Sequence, residues 1–281
     1  MQTRDYINLQ DNLPLMSLRK LLAGIIPDEK QRHIRDHFDV IGDIAVVTIP
    51  PGLEEYKEEI ALAVISLRRN IRTVLAKSSM VEHEERVPAY EFLIGSSTYT
   101  EHKEFGYRYR LDLAEVFFSG RLSTERQRVT GLVEPAEEVL VPFCGVGPFV
   151  IPAAAQGAAV MAVEKNPAAL HWLEENLALN RVADRVRVVP ADAFSLPDLA
   201  GSSFDRVICP TPYGRDGILD ILAPLVRDGG MLHFYTFKKE EQVPGLLEDF
   251  VNRGFLARFH HRCGYVAPGV GRYVFDLEKG G

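Results

Sequence analysis

From about residue 130 onward the chain repeats one pattern: a short apolar run, then a helical stretch. The runs are VLVPF, AVMAVE, VRVV, RVIC, MLHFYTF and RYVFDL. Strands that are apolar on both faces and alternate with helices are the mark of a parallel sheet covered on both sides, so this half reads as an α/β domain. Residues 168–179 (ALHWLEENLALN) form one of the crossover helices, opened by Asn166 as cap and Pro167 at the first helical position. RYVFDL is expected as an antiparallel edge strand.

The first half has a different texture. IGDIAVVTI (41–49) is β-branched and is stopped by Pro50-Pro51, so a strand is expected there. Residues 53–71 carry Ile60, Leu62, Val64, Ile65 and Leu67 at near-helical recurrence amid charges, which predicts an amphipathic helix. Pro27 followed by DEKQR reads as the start of another helix. Residues 97–118 alternate around Gly106, predicting a β-hairpin followed by a strand, and RLSTERQRV then opens a helix. The reading is thus α/β, with a Rossmann-like domain over 126–281 preceded by a smaller α+β domain over 1–125.

Composition narrows the function. The 281 residues are 46% hydrophobic and 25% charged, which excludes a largely disordered chain. No apolar stretch is long enough to span a bilayer and the amino terminus lacks a leader pattern, so a cytoplasmic protein is expected, with no membrane partner. Cys144, Cys209 and Cys263 cannot all pair and form no C-x-x-C, and His260-His261-x-Cys263 has no evident fourth ligand; neither a disulfide framework nor a metal is expected. The net charge is −7, so a nucleic-acid partner must be met by a local patch. Residues 61–81 contain Arg68, Arg69, Arg72 and Lys77 without an acid, and 251–275 contain Arg253, Arg258, Arg262 and Arg272 without one. Each is either a phosphate contact or a solubilising face.

The chemistry-bearing positions fall at strand ends. Phe143-Cys144-Gly145-Val146-Gly147 joins a strand to an Ala-rich helix, where glycines let backbone approach a ligand. Glu164 ends the next strand, placed to accept hydrogen bonds from both hydroxyls of a ribose, and Asp192 follows the third, placed to hold an exocyclic adenine amine. After the fourth, Pro210-Thr211-Pro212-Tyr213 makes a stiff turn in which Pro212 and Tyr213 would face a substrate.

Together these pieces resemble the class I S-adenosyl-L-methionine (AdoMet) methyltransferases. HFDVIGDIAVVTIP, EHKEFGYRYRLDLAEVFFSGRLSTERQRV, FCGVGPFVIP and VEKNPAALHWLEENLALN narrow the resemblance to the tRNA (guanine-37-N1)-methyltransferase family, with its relative the wybutosine-pathway aminocarboxypropyl transferase. RLSTER is nearer the methyltransferase branch, and YVAPGVGRYVFDL suits the transferase branch at least as well. The resemblance implies AdoMet as cofactor, held by Phe143, Gly145, Gly147, Glu164 and Asp192, and tRNA as the partner of a monomer. It also implies Glu125 as the base that takes the proton from guanine N1, Arg108 as the cation that steadies charge on O6, and Arg121 facing the substrate. Aminocarboxypropyl transfer to a wyosine precursor and a non-catalytic RNA-binding role are the alternatives. The sequence departs from the family pattern at Val141-Pro142, where an acid is usual, at Pro210, where an asparagine is usual, and at Phe117 and Gly120. At this length the extra amino-terminal domain of many methyltransferase members is not expected, and recognition of tRNA is expected to be local.

Overall fold

The structure is a computed structural model that describes residues 17–77, 89–196 and 203–281. The amino-terminal segment read for a leader, and the end of the first basic stretch, lie outside the described residues. Contacts divide the chain into two compact units, with the change at residues 98/99.

The first unit runs α1 (Leu18–Leu21), α2 (Asp28–Gln31), β1 (Asp39–Ile41), β2 (Ile44–Val47), α3 (Lys57–Leu67), β3 (Thr73–Lys77) and β4 (Tyr90–Ile94). Its sheet has the order β1-β2-β3-β4, with β2 and β3 parallel and the outer pairs antiparallel. The expected strand over 41–49 is two strands broken by a Gly42-Asp43 turn. The expected helix is α3, whose Ile60, Ala61 and Val64 are buried with Ala45, Val47 and Val74 of the sheet. Arg72 and Lys77 lie 3.9 and 3.8 Å from Asp43 and Asp39, loose pairs at a solvated surface.

The second unit begins with a hairpin, β5 (Tyr99–Glu104) and β6 (Tyr107–Asp112), whose two turn residues Phe105 and Gly106 both have positive φ, 48° and 90°. That is the primed turn whose twist matches the strands it joins. Residues 113–118 form no strand, contrary to expectation. There follow α4 (Ser123–Thr130), β7 (Glu138–Pro142), α5 (Val150–Ala155), β8 (Ala159–Glu164), α6 (Pro167–Leu179), β9 (Val186–Pro190), β10 (Phe204–Cys209), α7 (Ile218–Leu222), β11 (Val226–Lys239), α8 (Val243–Asn252), β12 (Phe255–Ala267) and β13 (Val270–Lys279).

The expected boundary at 125 therefore moves to 98, because the hairpin is fastened to α6. Two asparagines one turn apart do this. Asn176 accepts from the Arg110 amide at 2.7 Å and donates to the Arg110 carbonyl at 3.0 Å; Asn180 does the same for Arg108 at 3.0 and 2.7 Å. Their carboxamides complete the edge of β6 as a neighbouring strand would.

The seven-stranded sheet has the order β12-β13-β11-β10-β7-β8-β9. Strands β7 to β11 are mutually parallel, and β13 is antiparallel to both neighbours. The RYVFDL strand, expected at the edge, lies one strand in; β12 takes the edge. It escaped notice because its half-exposed, arginine- and histidine-rich face shows no apolar alternation.

Candidate active site

A cavity of about 370 Å³ opens at the carboxyl ends of β7, β8 and β10 and is lined by residues of the second unit. This is where open α/β sheets take ligands, because the strand-to-helix turns leave backbone N–H groups unpaired there. Phe143, Gly145, Glu164, Asp192 and Pro212 all line it.

The turn after β7 is tightly constrained. Phe143, a residue with a Cβ, is held at φ 54°, a conformation that costs about 1 kcal/mol or more and is often found beside ligand sites. Its ring meets that of Phe194 edge-on at 6.2 Å. Gly147 does not line the cavity. It has φ 92°, and a Cβ there would lie 2.7 Å from Leu173 Cδ1, so this glycine admits α6 to the turn rather than admitting a ligand.

Glu164 is fixed by the backbone around it. One carboxylate oxygen accepts from the Gly145 amide at 3.0 Å, the other from the Lys165 and Asn166 amides, both at 2.9 Å. Asn166 meanwhile caps α6 through the Ala168 amide. A carboxylate has about four acceptor sites, so three backbone bonds orient it without exhausting it. Asp192 accepts from the Phe194 amide at 3.0 Å. That bond, with the charges of Lys165 and Arg215, holds its carboxyl below the usual range, so it is an acceptor at neutral pH.

The two residues assigned to catalysis are not brought together. Arg108 is bidentate to Glu101, at 2.8 and 2.7 Å, on the exposed side of the hairpin and does not line the cavity. Glu125 is buried one layer behind the wall. It receives Arg128 through Nη2 at 2.6 Å and the Tyr235 hydroxyl at 3.1 Å, and His261 Nε2 lies 3.3 Å from its other oxygen. Arg121 is exposed and outside the lining, and Tyr213 stands 58% exposed next to Phe237, at 5.3 Å between rings.

Other lining residues went unassigned. Arg126 is bidentate to Glu104 at 2.8 and 2.5 Å, donates to the Ser119 carbonyl and lies over the Phe118 ring. Arg215 and Arg272 sit over Phe194 and Phe237. Tyr235 lines the cavity from β11. Arg126 carried a sequence signal in its place beside Glu125 in RLSTER and Arg272 in its acid-free basic stretch; Tyr235 reads as one more apolar residue of MLHFYTF. Val141, at the position where an acid was expected from the family pattern, is fully buried. His261 and Cys263 are committed to Glu125 and to the Arg272 carbonyl, and no group of three metal-ligating side chains occurs among the described residues.

A glycine turn, a backbone-anchored glutamate and an aspartate on consecutive parallel strands, beneath an antiparallel β13, define a Rossmann-like class I methyltransferase fold. The chain belongs to the TRM5/TYW2 family: the TRM5/TYW2 methyltransferase domain matches residues 100–253 and the TYW2 N-terminal domain matches 18–98. It is 37% identical over 216 residues to the tRNA (guanine(37)-N(1))-methyltransferase Trm5b of Pyrococcus abyssi, covering 76% of this chain and 64% of that one. It is 32% identical over 276 residues to the tRNA(Phe) (4-demethylwyosine(37)-C(7)) aminocarboxypropyltransferase of Pyrococcus horikoshii, covering 93% and 95%. Among solved structures, aTrm5 in its complex with tRNALeu superposes with a TM-score of 0.84 at 27% identity, over 98% of this chain and 82% of that one. TYW2 of P. horikoshii with MeSAdo superposes with a TM-score of 0.72 at 29% identity, over 93% and 97%.

Proposed function

We propose that the chain is an AdoMet-dependent transferase that modifies the purine at position 37 of tRNA, and that its product is N1-methylguanosine. The observation that carries this reading is the strand-end cavity with Glu164 and Asp192 on its wall. The residues present fit the cofactor. Glu164 has about one acceptor site left, enough for a ribose hydroxyl, Asp192 is ionised and can accept from the adenine amine, and Phe143 and Phe194 supply an apolar face for the base. AdoMet, when bound, supplies a carbon activated by its sulfonium.

The chain itself must position the guanine, take its N1 proton and steady the charge that then spreads to O6. Glu125, behind Tyr235, is the carboxylate that receives the proton. We assign the charge on O6 to Arg126, a residue of the cavity lining held by Glu104, rather than to Arg108, which lies exposed on the hairpin and outside the lining.

Aminocarboxypropyl transfer is the second reading. It is favoured by the match of 18–98 to the TYW2 N-terminal domain and by the near-complete coverage of the P. horikoshii transferase, whereas the chain spans only 64% of the Trm5b relative. Mass spectrometry of nucleosides from tRNA incubated with the protein and AdoMet separates the two. Gain of a methyl on guanosine 37 supports the first, gain of an aminocarboxypropyl group on a wyosine precursor supports the second, and no gain on either substrate leaves a binding protein without transferase activity.

A further inference from the structure

Glu125 is the family-pattern base, yet it does not touch the cavity; Tyr235 does, and its hydroxyl donates to Glu125 Oε1 at 3.1 Å. We infer that Tyr235 is the group that meets the substrate base, and that it relays the base's proton to Glu125. The inference deepens the N1-methylation reading and rests on it.

The carboxylate is held for this task by an unbroken chain of ion pairs and hydrogen bonds whose centre, Asp276 and His233, is buried. Arg128 grips both oxygens of Glu125 and is itself bidentate to Asp276, at 2.6 and 3.1 Å. Asp276 accepts from His233 Nδ1 at 2.7 Å, His233 Nε2 accepts from Arg206 at 2.7 Å, and Arg206 is bidentate to Glu137 at 2.7 and 2.8 Å. Each link fixes the next, so Glu125 presents a set lone pair to the Tyr235 hydroxyl. The ionisable groups facing Glu125 are Arg128 on α4, Tyr235 on β11, His261 and Cys263 on β12 and, through Arg128, Asp276 on β13. Burial keeps Tyr235 protonated across the working range, so it passes a proton on rather than storing charge.

The step balances without another reactant. The N1–H bond of the base breaks and its electron pair stays on N1. The proton forms a bond to Tyr235 Oη as the phenolic proton moves to Glu125 Oε1, leaving a neutral phenol and a neutral carboxylic acid.

The test compares wild type, Tyr235→Phe, Glu125→Gln and the double variant in single-turnover assays on tRNA. Melting temperatures and AdoMet titrations check that fold and cofactor binding survive. Each single variant is expected to slow transfer about a hundredfold, with the double no slower than the worse single, because one pathway is removed once. Raising the pH until guanine N1 ionises unaided should restore much of the Tyr235→Phe loss, which a merely structural defect would not show. Wild-type rates in Tyr235→Phe, or losses that multiply in the double variant, overturn the relay while leaving the transferase reading in place. A wild type that transfers nothing removes that reading and the relay with it.

Discussion

At the scale of single residues, the turn after β7 separates two glycines that look alike in sequence. Gly145 faces open space, and its amide holds Glu164. Gly147 is packed against α6, so a methyl group there meets Leu173 and the positive φ resists any side chain. Gly147→Ala is expected to cost about 1–3 kcal/mol, read as a lower urea midpoint with an unchanged slope. An unchanged midpoint would show that α6 is free to move aside. The G-x-G spacing announced such a turn but not this division of labour, because what distinguishes the two is a side chain 26 positions further on. Glu164 and Asp192 were legible because strand ends can be counted from apolar runs. Tyr235 was not, since a buried tyrosine's purpose depends on what its hydroxyl meets.

At the scale of elements, the hairpin and the buried ion chain each tie distant segments together. Asn176 is fully buried, and its carboxamide satisfies the Arg110 amide and the Arg110 and Val146 carbonyls. Asn176→Ala strands these backbone groups, and an expected loss of about 2–4 kcal/mol should appear in chemical denaturation, with faster hydrogen exchange in β6. Protection of β6 equal to wild type would contradict the clasp. The boundary set at 125 from sequence missed this, because nothing local in a hairpin states which helix its edge will meet.

The ion chain also sets a pH dependence. Burial alone would raise the Asp276 carboxyl, but hydrogen bonds from His233 and Arg128 and their charges bring it from 3.8 to about 2. The folded state thus holds this group ionised where the unfolded chain protonates it. The resulting stability, on the order of 2 kcal/mol, is complete above about pH 4 and is lost as pH falls towards 2. Burial lowers the His233 pKa from 6.5, so the folded state also resists this second proton, and some stability is lost earlier, as pH drops below that value. Denaturant midpoints are therefore expected to decline below pH 6.5 and again below 4, with the second decline flattened in Asp276→Asn. A midpoint constant from pH 7 to 3 would contradict this.

At the scale of the whole molecule, the proposed action on tRNA by a chain of net charge −7 calls for restricted contact surfaces. Most arginines of the second basic stretch are already paired with acids at the surface, Arg253 with Asp249 and Asp220, Arg258 with Glu278, and Arg262 with Glu240. Arg272 is the one of the four that lines the cavity. The alternating architecture of the second unit was readable because buried parallel strands leave continuous apolar runs, whereas β4 and β12 are half exposed and mix polar with apolar residues. No helix among the described residues is long and apolar enough to cross a membrane.

The proposed transfer requires AdoMet in the strand-end cavity with its ribose on Glu164. Calorimetric titration of AdoMet into the wild type and into Glu164→Ala tests it most directly. Micromolar-range binding to the wild type is expected, with a loss of about tenfold to a hundredfold in the variant, the worth of one charge-assisted hydrogen bond. Undiminished affinity in Glu164→Ala, or no heat from the wild type, would contradict it.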